Sequence, residues 1–289
     1  MPVQPILFYL EPWQFSPTVL LACVLPAAAY ARGLVLTRRA GEAAGFWRTL
    51  SFFVGVALIY IVLQTYVDFL SQHMFWVHRL QQGILHHVAP FLVALASPWD
   101  IMARGTPRVL RERILRPLFG NRAVRLLYRF LQNPVVAPLL FVGLLYFWLI
   151  PSVHFTAMLD VDRYNAMNWS MVVDGMLFWW LMLAPRNAQG HASIAYPLRI
   201  LIFFIVMVFQ IVLGAYITLH GSIIYTVYAL CGRAWNISPM TDQQWGGLIT
   251  WIPPSMMCVL GILVVLRRML LEPDSRPIAG SAMASVPGR

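Results

Sequence analysis

Lysine is absent from this chain of 289 residues, acidic residues number 11 against 21 arginines, and only 11% of positions are charged. With 60% hydrophobic content, so little charge cannot solvate a globule of this size, which excludes a soluble domain. Cysteine is nearly absent too. Cys23, Cys231 and Cys258 form no CxxC and two of them fall inside apolar runs, so neither a disulfide framework nor a thiolate metal site is expected. The opening MPVQPILFYLEPWQF lacks a basic start and a small-residue cleavage site, and is read as retained rather than as a removable signal. The apolar runs lack the period-two alternation of barrel strands. No nucleophile with a paired base, phosphate loop or acid/base carboxylate pair stands out, so no enzyme is expected. There is no inverted repeat of the kind that marks many transporters.

What is present is a series of apolar stretches at roughly 15–36, 48–70, 76–97, 134–152, 170–185, 199–219 and 246–266. A hydrocarbon core of about 30 Å needs about 20 apolar residues per helix, so the expected fold is all-α: a polytopic bundle of seven transmembrane helices in a membrane domain spanning 1–271, its fifth span the shortest. Eighteen of the 21 arginines lie in alternate loops or their flanks, between spans one and two, three and four, after span five and after span seven. The positive-inside rule makes those segments cytoplasmic, with the N-terminus outside and the C-terminus inside. The net charge of +10 is therefore read as topology and attraction to anionic lipid at the inner leaflet, not as a nucleic-acid surface. The inner loop 99–133 interleaves eight of those arginines with apolar residues and is expected to form two short amphipathic helices on the inner leaflet, broken at Pro117 and Gly120. The tail 272–289, rich in Pro, Ser, Ala and Gly, reads as disordered. The outer segments 154–169 and 221–245 read as loops whose aromatic residues anchor at the interface.

Six of the seven histidines cluster at or below the outer ends of the spans, the exception being His191 in an inner loop. His78, Gln82 and His86 stand four residues apart and share one helical face, with Arg79 and His87 on the neighbouring stripe. At 1.5 Å rise per residue, His86 lies about 12 Å deeper than His78, so the two form separate levels of one polar pocket. His73 and Met74 lie just outside, and His154 and His220 follow spans four and six. Ionisable groups inside a membrane cost about 2.5 kcal/mol or more at its centre, which favours a functional reading of the set. For each ring taken alone, a neutral imidazole satisfied by backbone or amide is the alternative. Imidazole binds copper, zinc and iron, and thioether favours cuprous ion. The candidate metal ligands are His78, His73, His86, His87, His154, Met74 and Asp242, with Asp68 and Asp174 as partners. Thr241 or Asp242 is expected to N-cap the last span, and Pro253 and Pro254 to kink it.

At these residues the chain resembles the CtaG family of membrane-embedded cytochrome c oxidase assembly factors, of the seven-span type found with bacterial caa-type oxidases, from about Ser71 to Arg268. Members carry His-Met-x-x-His with a Pro eight residues after the second His and another eight beyond. Here His78 takes the first His position and Gln82 the second, while Pro90 and Pro98 keep the spacing. Trp-His-x-Pro appears as Trp148, Leu149, Ile150 and Pro151, and the His before Gly-x-x-Phe-Trp-Trp as Asn168 before Gly175, Phe178, Trp179 and Trp180. Asp-Gln-x-x-Gly-Gly and its following Trp match as Asp242, Gln243, Gly246, Gly247 and Trp251. The resemblance implies a non-enzymatic role in maturing a haem-copper oxidase in a bacterial plasma membrane, with oxidase subunits as partners and copper presented at the outer face. Three family histidines are replaced, by Gln82, Leu149 and Asn168. A haem-binding electron carrier with bis-His ligation, or a transporter of a metal ion or proton, are the alternatives of other classes.

Overall fold

The computed structural model describes residues 11–184, 194–230 and 232–271. His191, Cys231 and the tail lie outside the described residues. All helices and no strand occur among the described residues, apart from one isolated bridge between Pro12 and Thr65. The chain is an all-α, multi-pass membrane protein. Four helices are long and apolar enough to cross a membrane: α1 (Pro17–Arg39), α2 (Phe46–Gln64), α13 (Tyr196–Leu219) and α15 (Pro239–Leu271). There are up to six such spans if each of two bent pairs counts as one.

Each apolar run falls in a helix, and the differences from expectation have physical causes. The second run is interrupted at Thr65, whose extended backbone separates α2 from α3 (Tyr66–His73) and whose hydroxyl caps α3 by accepting from Val67 N. The third run is α4 (Phe75–Gly83), a π-helical turn at Ile84–Val88, and α5 (Ala89–Ala96). Past Ser97 and Pro98 the chain turns by 73° into α6 (Trp99–Gly105). In the basic loop, α7 (Arg108–Leu110), a second π turn at Arg111–Leu115 and α8 (Arg116–Gly120) follow one another directly. The helix runs on through Pro117, just past the π turn that Arg116 N closes on the Arg111 carbonyl, and the break comes only at Asn121, which caps α9 (Arg122–Leu131). The fourth run is α10 (Val136–Leu149).

The segment expected as an outer loop, 154–169, is helical: it comprises α11 (Pro151–Leu159) and the first turns of α12 (Val161–Leu183). Its polar residues fall on both faces, His154, Tyr164 and Asn168 buried and Asp160, Asp162, Arg163 and Asn165 exposed, so hydropathy does not separate this helix from a loop. The fifth run is therefore 23 residues long rather than short. A short helix, α14 (Val227–Leu230), precedes α15. Apolar residues such as Leu139, Val212 and Leu263 are turned outward, as lipid-facing helices require.

Charged side chains close the helix ends. At the outer end, Asp242 does not cap its own helix, whose N-terminus is served by Ser238: its hydroxyl accepts from Thr241 N at 3.1 Å and its carbonyl from Asp242 N. The Asp242 carboxylate instead accepts from the first amides of α4, Phe75 N at 3.1 Å and Trp76 N at 2.9 Å, and pairs with Arg233 at 2.6 Å. Gly246, one turn on, has no Cβ to strike the Phe75 ring, so α15 can lie this close to α4. Gln243 pins the preceding loop by accepting from Ile224 N and donating to Ser222 O. Pro253 and Pro254 lie within α15, which runs on through them.

Replacing Asp242 with Ala removes two cap bonds and leaves Arg233 unpaired, which should cost about 2–4 kcal/mol and lower the melting temperature in detergent. Asp242→Asn, which keeps one acceptor oxygen, should fall between. Topology is checked separately: alkaline phosphatase inserted at Ser222 should be active, and a green fluorescent protein joined after Leu271 should fluoresce.

Candidate functional site

The face of α4 and α5 that carries His78, Gln82 and His86 packs on α12, and each residue meets a counterpart there. The His78 ring lies 6.1 Å from the Tyr164 ring between centroids, the Gln82 amide donates to Asn168 Oδ1 at 2.6 Å, and His86 Nε2 meets Asp174 Oδ2 at 3.1 Å. α4 and the π turn thus meet α12 in a ladder of three rungs, a ring contact above two hydrogen-bonded pairs. Its middle rung joins two of the positions where family members carry histidine.

At the upper rung, His78 is fully buried and neither ring nitrogen has a hydrogen-bond partner. Leaving such groups unpaired is expensive, and a bound ligand would remove that cost. The His154 ring stands 5.3 Å from it. His154 Nδ1 meets the Trp148 carbonyl at 3.1 Å, and a carbonyl only accepts, so the proton sits on Nδ1. Nε2 then carries the lone pair and accepts from the Tyr228 hydroxyl at 2.9 Å. Burial pushes the Tyr228 hydroxyl well above the ordinary phenol range, so it remains a donor. His154 also lines a pocket of about 220 Å³ with Pro151, Ser152, Phe155 and Tyr225. His78 does not line this pocket; its ring stands against that of His154, which does.

The lower rung is built around a missing hydrogen. Pro90 has no amide hydrogen to give the His86 carbonyl four residues back, and the Trp179 indole donates to that carbonyl instead, at 3.2 Å. Gly175 makes room, since a Cβ there would lie 2.6 Å from the same oxygen. The π turn, closed by Ala89 N on the Ile84 carbonyl, presents His86 and His87 side by side with ring centroids 5.0 Å apart. His87 Nε2 meets the Gln210 amide nitrogen at 3.2 Å. Arg79 is buried between the levels, its Nε donating to Thr250 at 3.0 Å.

The remaining candidates lie apart. The His73 ring rests on Phe69, its Nδ1 against the Phe69 carbonyl at 2.7 Å. Met74 is buried among Leu70 and Val77. Asp242 is engaged by α4 and Arg233, and His220 bonds within its own turn to Ser222. Among the described residues, no three of His, Cys, Asp and Glu are arranged to hold a metal ion. Sequence reasoning missed Tyr228, whose spacing from Tyr225 places both on one side of a turn, and Gln210, the buried amide in the middle of α13.

The model of the family described as cytochrome c oxidase caa3 assembly factor (Caa3_CtaG) matches residues 28–272. Two similar relatives are the uncharacterized proteins Mb0105 of Mycobacterium bovis (strain ATCC BAA-935 / AF2122/97) and MT0111 of Mycobacterium tuberculosis (strain CDC 1551 / Oshkosh). Each is 29% identical over 252 residues, covering 83% of this chain and 36% of the relative. The chain thus spans about a third of the length of these curated relatives. No solved structure matches. The Pro90–Trp179 and Asp242–α4 contacts are made by motif residues, and with the family match extending over most of its length, the chain belongs to the cytochrome c oxidase caa3 assembly factor family.

Proposed function

We propose that this chain is a non-enzymatic assembly factor for a haem-copper cytochrome c oxidase in a bacterial plasma membrane, and that it presents copper, as cargo, to an oxidase subunit from its outer imidazole level. The observation that carries the reading is His78: a buried ring with both nitrogens unpartnered, 5.3 Å from His154. Tyr228 bonds His154 Nε2, so capture of an ion by both rings displaces the hydroxyl, and return of the hydroxyl favours release. Such exchange of ligands suits delivery better than storage. Asp242 acts here through α4, holding the helix start one turn above His78 rather than touching the ion.

The basic loop is proposed to rest on anionic lipid. In α9, Leu126, Leu127 and Phe130 are exposed on one face, with Arg122, Arg125 and Arg129 along another. A haem carrier is disfavoured, because the cavity beside His86 and His87, about 10 Å³, is far smaller than a porphyrin needs.

The test is complementation. In a strain lacking the chain, oxidase copper content and activity should fall, and His78→Gln should restore them poorly, about tenfold below the unsubstituted chain. His220→Gln should restore them fully. Normal oxidase maturation in the deletion strain would sink the proposal.

A further inference from the structure

The lower rung has a chemistry of its own. His86 and His87 are nearly fully buried, and Nδ1 of each is buried without a hydrogen-bond partner. Both line a small cavity together with Met171, Arg79 and Gln82. Asp174 fixes the His86 tautomer: a carboxylate accepts the proton from Nε2, which leaves the lone pair on Nδ1. This is the carboxylate–imidazole arrangement that prepares a histidine to bind a metal. Gln210 permits the same at His87. Turned about its side-chain amide, its oxygen accepts from His87 Nε2 and its nitrogen faces Cys258 Sγ, now 4.0 Å from the amide oxygen, freeing the His87 Nδ1 lone pair.

We propose that His86, His87 and Met171 form a second, inner site for a soft monovalent metal ion of the cuprous or argentous class. The donor set is two imidazoles and a thioether, which favours such ions over hard cations. With metal–nitrogen bonds of about 2 Å, two imidazoles sharing one ion at trigonal angles have centroids about 5.5 Å apart; these rings stand at 5.0 Å and 83°. Charge decides the valence. Arg79 lines the cavity, and among the described residues Asp174 is the one carboxylate bonded to the imidazole pair. A monovalent ion leaves the cluster with one excess positive charge, whereas a divalent ion leaves two in a low-dielectric interior. The site is independent of the oxidase reading and stands or falls on metal binding alone.

Detergent-purified chain and its His78→Gln variant are titrated anaerobically with Cu(I) against a chromogenic chelator, and separately with Zn(II). The His78→Gln variant should hold about one equivalent of Cu(I) per chain, which Zn(II) does not displace, and the further pair His86→Gln and His87→Gln should abolish it. X-ray absorption of Cu(I)-loaded His78→Gln, whose inner level is untouched, should show nitrogen and one sulfur neighbour, the sulfur vanishing in Met171→Leu. Survival of that equivalent in the triple variant, absence of sulfur from the spectrum, or displacement by Zn(II) would overturn the proposal. Binding as expected in a protein whose deletion leaves the oxidase mature would uphold this site while removing the assembly role.

Discussion

The carbonyl of His86 is the point on which the interior turns. Proline at position 90 removes its natural donor, and within a membrane no water replaces it, so the acceptor must be met by another helix. Trp179 supplies the hydrogen and Gly175 the clearance, which fixes how α5 lies on α12. That contact sets the rung above it, because His86 to Asp174 and Gln82 to Asn168 follow along the same two helices. The π turn adds the extra residue that brings His87 toward α13 and Gln210 while His86 stays with α12.

The ends of the helices obey a matching rule of charge. Asp242 sits on the amides that begin α4, where the positive end of the helix dipole faces it. At the opposite ends, Arg48 donates to the carbonyls of Ala96 and Ser97, the latter in the left-handed region at φ 44°, where α5 stops. Arg199 donates to the carbonyls of Met182 and Ala184, and Arg268 to that of Leu183, closing α12. Three of the arginines counted as topology signals are therefore also C-terminal caps. The two roles reinforce each other, since a guanidinium that must stay on one side of the membrane is available to bond carbonyls only on that side.

Much of this was legible in the chain. The apolar runs marked every long helix, and the spacing of His78, Gln82 and His86 put them on one face, because period and hydropathy are local properties. The outer half of α12 was not legible. Asp160, Asp162, Arg163 and Asn165 face outward while Tyr164 and Asn168 face the interior, and hydropathy cannot tell a helix with polar residues on both faces from a loop. Asp242 was misjudged for a related reason: an acidic residue near a helix start suggests a cap for that helix, while its actual partners lie 166 and 167 positions earlier. The Tyr228 bond to His154 joins residues 74 apart, and no pattern within either segment announces it.

The replaced histidines gain a physical reading from the ladder. Gln82 and Asn168 bond each other through neutral amides, so the middle rung is held by a donor and an acceptor that need no metal to pair. The family motif that the sequence resembles has imidazole at both positions, where this chain places that amide bond. The upper rung keeps a free ring in His78, and the lower rung has His86 and His87, which lie outside the family motif. On that resemblance an amide pair stands at the centre of the ladder in place of imidazole, while imidazole is present above and below. Arg79 lies between those levels, and its fixed positive charge opposes passage of a cation from one to the other. The two proposed metal levels are therefore separate stations and not one continuous path across the membrane.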